Sequence, residues 1–194
     1  MDKKQVFFGT GNAKKLQEIG QILGESFSIK SFLDLEAPLD VEETESTLEG
    51  NARLKAMAFY AHTGIPCFAD DTGLEVEALN GAPGVYSARY AGPENDATAN
   101  MNKLLNALEG KSSRQAQFRT VIAWYDGKDL RFFEGVLKGA IGVEKRGNAG
   151  FGYDPIFIPA GSSRTLAEME PVEKNAISHR GKAVQQLAQY LLQL

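Results

Sequence analysis

Apolar residues recur along the first third of the chain in two patterns. Spacings of three or four positions predict amphipathic helices at residues 14–23 and 46–61. Short continuous apolar runs predict buried strands at residues 6–9, 28–32 and 65–69. Strands and helices therefore alternate, which is typical of an α/β protein.

The rest of the chain adds a hairpin and two helices. Helical spacing recurs at residues 97–108 and 179–192, and strand-like runs lie at residues 74–76, 115–125, 130–137 and 156–158. The turn sequence Asp-Gly-Lys-Asp at residues 126–129 predicts a hairpin between the two longest strands. The pattern predicts an α/β fold with a mixed twisted sheet and flanking helices. No linker or low-complexity tract interrupts it, so residues 1–194 are predicted to form a single domain.

Composition narrows the possible ligands. The 194 residues carry a net charge of −4, which argues against a sequence-independent grip on polymeric nucleic acid. An anionic ligand would need a local cluster of cations. The one cysteine, Cys67, excludes an intramolecular disulfide, and its apolar neighbours predict a buried thiol. Because the sequence shows no signal peptide and no long apolar segment, we expect a cytoplasmic protein with no membrane contact.

Residues 9–15 read Gly-Thr-Gly-Asn-Ala-Lys-Lys and lie between the first predicted strand and helix. Backbone N–H groups and a helix N-terminus attract phosphate in this context. The loop is not a P-loop, because Leu16 stands where that motif has a hydroxyl. It is not a dinucleotide-binding turn, because Lys14 replaces the third glycine. It is predicted to bind an anion or, alternatively, to form a tight turn with solvated lysines.

Seven carboxylates and no lysine or arginine lie between Asp34 and Glu49. A solvated loop would explain this run if its last acids favour the start of a helix, and Ser46 with Glu49 forms a possible capping box. Glu42 and Glu43 could instead supply a carboxylate to a hard cation such as Mg²⁺. The pattern leaves both interpretations open.

Asp70 and Asp71 follow the strand predicted at residues 65–69. The carboxyl ends of strands are where α/β sheets hold their ligands, and two adjacent carboxylates need a nearby cation to stay ionised together. We therefore predict a functional role for this pair. Residues 71–73 also match the aspartic-protease triplet, but that fold needs two triplets and this chain has one.

Two later segments have features that suit a nucleoside. Residues 147–155 combine three glycines with Phe151 and Tyr153, whose flat faces could stack on a base. The alternative is a bulged loop before a strand. Residues 173–182 place cationic groups at the predicted start of the last helix, where a bound anion or a carboxylate partner would have to offset them.

The order of these motifs resembles the inosine triphosphate pyrophosphatase family, in its bacterial branch. The matching segments run from one end of the chain to the other, at residues 10–15, 42–43, 51–55, 69–74, 81–90, 151–155 and 178–180. The resemblance implies two lobes around a central cleft and a homodimer. It implies Mg²⁺-dependent hydrolysis of ITP, dITP and XTP to the monophosphate and pyrophosphate, which removes deaminated purine nucleotides from the precursor pool.

The resemblance also implies roles for individual residues. Asp71 would be the general base, with Lys15 and Lys55 assisting. The implied metal ligands are Glu42, Glu43, Asp70 and Asp71. The implied triphosphate contacts are Thr10, Gly11, Asn12, Ala13, Lys14 and Lys15. Thr72 would contact the substrate, and Phe151, Gly152, Tyr153 and Asp154 would stack on and border its base. The edge of the base or neighbouring atoms would be contacted by Lys174, His179 and Arg180.

Two other functions stay open on the sequence alone. A binding module with the same pocket would sense a nucleotide without cleaving it, although a carboxylate pair beside candidate metal ligands favours an enzyme. A phosphotransferase using residues 9–15 as a P-loop variant would transfer a phosphoryl group to an acceptor. The missing hydroxyl at Leu16 is evidence against it.

Overall fold

The computed structural model describes residues 3–35 and 39–194, so Glu36 of the acidic run lies outside the described residues. The helices are α1 (Ala13–Leu23), α2 (Leu48–Thr63), α3 (Ala97–Ala107), α4 (Pro171–Ile177) and α5 (His179–Leu191). The strands are β1 (Lys4–Phe8), β2 (Phe27–Ser31), β3 (Cys67–Val76), β4 (Pro83–Gly84), β5 (Gln115–Tyr125), β6 (Leu130–Ile141) and β7 (Phe157–Pro159). Among the described residues, no helix combines the length and apolar character needed to cross a bilayer.

The strands form one mixed sheet. Its order is β2-β1-β3-β5-β6-β7, and β4 pairs with β3 beside this path. β1 is parallel to both β2 and β3, with Val6 opposite Ile29 and Phe8 opposite Phe68. β4 and β7 are antiparallel to β3 and β6, respectively. The predicted α/β fold with a mixed sheet and flanking helices is confirmed.

The chain divides into two compact units. The first comprises Met1–Asp71, Thr120–Gly135 and Arg180–Leu194, and the second comprises Thr72–Arg119 and Val136–His179. Each unit has its own hydrophobic core. Fully buried members of the first core are Phe8, Ile19, Phe68, Ile122, Ala183, Val184 and Leu187. Those of the second are Leu74, Val76, Leu104, Leu108, Ile156 and Phe157. That residues 1–194 form a single domain stays a prediction.

Strand β3 differs most from the sequence prediction. It runs without a break over Cys67–Val76, whereas the apolar pattern predicted one strand ending at residue 69 and a separate piece at residues 74–76. Asp70 and Asp71 therefore lie inside the strand and not at its exit, and they are only 2% and 6% exposed. The prediction was wrong because it treated two carboxylates as the end of burial. Basic side chains from distant parts of the first unit make their burial possible.

Two helix starts also differ. The N-cap of α2 is Thr47, whose hydroxyl accepts a hydrogen bond from the N–H of Gly50 at 3.0 Å, so the capping box predicted at Ser46 is wrong. Residues 173–182 do not open a single helix. Instead, α4 ends at Ile177 and Ser178 is extended before α5 begins. Lys174 therefore lies on the short helix α4.

Candidate active site

Close packing fixes the start of the loop between β1 and α1. The N–H of Gly9 donates to the carbonyl of Phe68 at 2.8 Å, and a Cβ at Gly9 would lie 1.7 Å from the ring of Phe59. A Cβ at Gly11 would instead meet no described atom within 4 Å. The fold therefore requires a glycine at position 9, whereas it leaves the space beside Gly11 open.

A side-chain cap uses part of the helix N-terminus that was predicted to bind phosphate. Oδ1 of Asn12 accepts hydrogen bonds from the N–H groups of Lys14 and Lys15, at 3.0 and 3.2 Å. The N–H of Asn12 donates to the hydroxyl of Thr10 at 3.0 Å. Within residues 9–15, the N–H groups of Gly11 and Ala13 are the two with no acceptor among the described residues. These two N–H groups remain available for an anion.

Asp70 is enclosed by cations of the first unit. Nζ of Lys15 donates to both carboxylate oxygens, at 3.0 and 2.9 Å, and Nε of Arg180 lies 3.6 Å from Oδ2. Arg180 also forms an ion pair with Glu18. Burial by itself raises the pKa of Asp70, but the surrounding cations, Lys15 first, outweigh it and hold the pKa well below its usual range. Asp70 therefore stays ionised at neutral pH.

Asp71, the next residue of β3, has a different environment. Its Oδ2 accepts a hydrogen bond from Nδ2 of Asn51 at 3.1 Å, and its Oδ1 lies 3.8 Å from Nζ of Lys55. Burial is the largest influence and raises the pKa of Asp71 to about 6, although Lys55 lowers it. The same ammonium contacts Oε1 of Glu43 at 2.5 Å. One cation therefore bridges two carboxylates.

The other predicted metal ligands are less close to this cation. Glu42 is exposed, whereas Glu43 is half-buried. The oxygens of Asp70 both accept hydrogen bonds from Lys15. Among the described residues, no group of three or more acidic, histidine or cysteine side chains is arranged to hold a metal ion. Glu43 and Asp71 are thus the predicted ligands that share a common cation.

A second group of predicted site residues lies in the second unit. Nζ of Lys174 donates to Oδ2 of Asp154 at 2.7 Å and lies 5.0 Å from the ring centroid of Phe151. The same Asp154 oxygen accepts the N–H of Phe151 at 2.9 Å. Gly150 has φ +76°, and a Cβ there would lie 2.0 Å from this oxygen. The hydroxyl of Tyr153 donates to the carbonyl of Ser87 at 2.7 Å. These contacts define the conformation of the loop.

His179 and Arg180 are neighbours in sequence but belong to different units. The ring of His179 stacks on Phe118, with centroids 4.8 Å apart, and Arg180 lies against Asp70. The sequence analysis placed both at the base of the substrate. The structure puts Arg180 together with Lys15, and its contact to the base stays a prediction.

Comparisons with known proteins give the family. A family model described as the Ham1 family matches residues 6–190. The chain belongs to the Ham1 family. It is 51% identical over 190 residues to a dITP/XTP pyrophosphatase of Porphyromonas gingivalis, covering 97% of this chain and 98% of the relative. It is 52% identical over 188 residues to a dITP/XTP pyrophosphatase of Flavobacterium johnsoniae, covering 96% and 97%.

Solved structures of Ham1 proteins have the same fold. A HAM1 protein from Coxiella burnetii matches with a TM-score of 0.91 and 41% identity, over 98% of this chain and 100% of that one. The Staphylococcus aureus Ham1 protein matches with a TM-score of 0.89 and 39% identity, over 97% and 98%. The resemblance found from the motifs is confirmed.

In this Ham1-family chain, two residues with no predicted role contact residues of the site. Glu18 pairs with Arg180, and Asn51 contacts Asp71. The sequence offered no signal for Glu18. For Asn51 a signal exists, because it lies four positions before Lys55 and therefore shares its helix face.

Proposed function

We propose that this Ham1-family chain is a nucleoside triphosphate pyrophosphatase that hydrolyses dITP, XTP and ITP to the monophosphate and pyrophosphate. Relatives about half identical over nearly their whole length are named dITP/XTP pyrophosphatases. One structural observation carries the proposal. Asp70 and Asp71 are adjacent buried carboxylates, and their surroundings shift their pKa values in opposite directions. Environments that separate the pKa values of two carboxylates in this way suit them to different chemical tasks.

Asp71 is proposed as the general base for the attacking water. A pKa raised to about 6 by burial lies closer to neutral pH than that of an ordinary aspartate, which makes the ionised form a stronger base. Asn51 and Lys55 hold one oxygen each, so the carboxylate has a defined orientation. Asp70 remains charged and keeps the ammonium of Lys15 in place.

The triphosphate is proposed to bind at residues 10–15. The N–H groups of Gly11 and Ala13 and the charge of Lys15 suit phosphate oxygens, and Thr10, Asn12 and Lys14 line the same loop. Lys15 and Lys55 stabilise the negative charge that develops on the leaving pyrophosphate. This loop thus supplies cations and N–H donors, while the carboxylates come from β3 and from the segment before α2.

Mg²⁺ is the proposed cofactor, with Glu43 and Asp71 as its first ligands and Glu42 and Asp70 as the further predicted ones. The fit rests on the carboxylates of Glu43 and Asp71, which lie near each other because both are close to the ammonium of Lys55, at 2.5 and 3.8 Å. Mg²⁺ is usually held by one or two carboxylates together with substrate phosphates, so a pair of acids is sufficient. Bound there, the ion would neutralise phosphate charge during hydrolysis.

The remaining predicted contacts are proposed for the nucleoside. Phe151 offers a face for the base, and Lys174 and His179 supply polar groups to its edge. Thr72, Gly152, Tyr153 and Asp154 complete this set. A homodimer and a cytoplasmic location stay predictions from the family resemblance and the composition.

The test is pyrophosphate release from dITP, XTP and ITP with Mg²⁺, for the wild type and Asp71→Asn. We expect the substitution to lower kcat by about 10²–10⁴-fold, because a general base contributes that much, without loss of folding. A wild type that cleaves none of the three contradicts the proposal. Binding without cleavage would indicate a binding module, and a diphosphate product would indicate a phosphotransferase.

A further inference from the structure

Asn51 is a fully buried residue whose side-chain amide contacts Asp71. It lies in the first turns of α2, and its exposed fraction is 0%. Its Nδ2 donates to Oδ2 of Asp71 at 3.1 Å, and its Oδ1 accepts the N–H of Glu45 at 3.0 Å. A donor is matched to an acceptor at each end of the amide, so its orientation is fixed.

The two ends of this amide reach two different parts of the proposed site. Lys55, one turn further along α2, lies 3.8 Å from the other oxygen of Asp71. Two groups on one helix face therefore contact the two oxygens of one carboxylate and define its plane. The opposite end of the amide holds the backbone at Glu45, two residues after Glu43. One side chain thus connects the proposed base with the segment that carries a proposed metal ligand.

Few residue types could replace asparagine here. Leucine has a similar size, but it would remove a donor from Asp71 and an acceptor from the N–H of Glu45. Aspartate would keep the acceptor for Glu45 but would put a second carboxylate against Asp71, which like-charge repulsion disfavours. A carboxamide can accept a hydrogen bond from an N–H and donate one to a carboxylate at the same time.

We propose that Asn51 is a positioning residue for the hydrolysis. It sets the plane of the Asp71 carboxylate and holds the segment of Glu43 beside it. This inference rests on the proposed function, because the reaction defines what is positioned.

Asn100 provides a matched control in the second unit. It is also buried, at 3% exposure, and also uses both ends of its amide. Its Nδ2 donates to the carbonyl of Ala88 at 2.7 Å, and its Oδ1 accepts the N–H of Ala91 at 2.6 Å. These hydrogen-bond partners are backbone groups, so its loss affects stability by a similar route without removing a contact to Asp71.

The experiment compares Asn51→Ala, Asn51→Asp and Asn100→Ala in the full-length chain. The measurements are the free energy of unfolding, kcat and KM for dITP, and the Mg²⁺ concentration that gives half-maximal rate. We expect Asn51→Ala to lower kcat by about 100-fold, as misplacement of a reacting group by about 1 Å does. KM should change by less than about threefold, since the contact is not to substrate. The Mg²⁺ requirement should rise, because the Glu43 segment is released.

The control should show a comparable loss of stability with kcat within about threefold of the wild type. Equal losses of kcat in Asn51→Ala and Asn100→Ala would overturn the inference, because the role of Asn51 would then be structural only. If Asn51→Ala does not fold, the nearly isosteric Asn51→Asp decides. A wild-type kcat in that variant, or its failure to fold, also overturns the inference. An inactive wild type would instead overturn the proposed function itself.

Discussion

Each unit buries an aspartate that a lysine holds, yet the two carboxylates are built into different kinds of structure. Asp70 lies in the regular strand β3, and Lys15, 55 positions earlier in the chain, donates to both of its oxygens. Asp154 lies in a glycine-rich loop, where one oxygen accepts both the ammonium of Lys174 and the backbone N–H of Phe151. The carboxylate of Asp154 therefore has a backbone partner three residues away in its own loop.

This difference predicts how much stability each carboxylate loses when its lysine is replaced. A loop that satisfies its own carboxylate through a local N–H retains part of that stabilisation when the lysine is removed. The backbone groups beside a carboxylate inside a strand form the hydrogen bonds of the sheet. The negative charge must therefore be balanced by side chains from distant elements. We therefore expect the group around Asp70 to be the more sensitive to substitution.

The largest expected effect is that of Lys15→Met. It leaves the buried charge of Asp70 without its main partner, and breaking a buried ion pair costs about 3–5 kcal/mol. Urea unfolding measures the loss, and pyrophosphate release should also disappear. Lys14→Met is the stability control, because Lys14 is exposed and its replacement should change stability by less than about 0.5 kcal/mol. Equal stabilities of the two variants would contradict the comparison.

A second prediction concerns the glycines of the loop between β1 and α1. Gly9→Ala should cost about 3 kcal/mol, because its Cβ would overlap the ring of Phe59 and force α2 or the loop to move. Gly11→Ala should leave stability within about 0.5 kcal/mol. It should raise KM for dITP if the triphosphate occupies the open space there. An unchanged KM would show that the substrate does not approach Gly11.

Lys174→Met tests the second carboxylate. Asp154 keeps the N–H of Phe151, so the loss should be about 2 kcal/mol, the contribution of a hydrogen bond to a charged group. KM should rise more than kcat falls, because the proposed contact of Lys174 is to the nucleoside. A stability loss as large as that of Lys15→Met would remove the distinction between the two groups.

The smallest expected effect concerns Cys67, which shares β3 with Asp70 but is fully buried among apolar residues and is not an ion-pair partner. Burial raises the pKa of its thiol to about 12. The folded pKa lies above the unfolded value, so this contribution to stability is present below about pH 9 and is lost as the pH rises towards 12.

At about pH 8, a thiol reagent should label Cys67 only as fast as the chain opens, whereas the urea-unfolded chain should react at once. The stability of the wild type relative to Cys67→Ala should fall with pH between about 9 and 12. Rapid labelling of the folded protein would contradict the burial of this thiol.

Much of the fold could be predicted from the pattern of apolar residues. The range of β5 matches the prediction, and α1 and α3 match within a residue, because their periodicity is local. The polar middle of β3 could not be predicted, since an aspartate pair is typical of a turn and only tertiary contacts make its burial favourable. Helix α4 was missed because the charged segment before α5 has no apolar stripe of its own.

The sequence by itself determined the α/β class, the helices with strong periodicity and the family, because these depend on spacing and on the order of motifs. It also indicated that lysines and carboxylates would form the site. Only the tertiary structure decided which of them meet. In the structure, Lys15 and Arg180 lie against Asp70. Asp71 lies between Asn51 and Lys55. The physical reason is that a charge interacts through space, over distances that chain separation does not reveal, so identical neighbours in sequence acquire opposite pKa shifts.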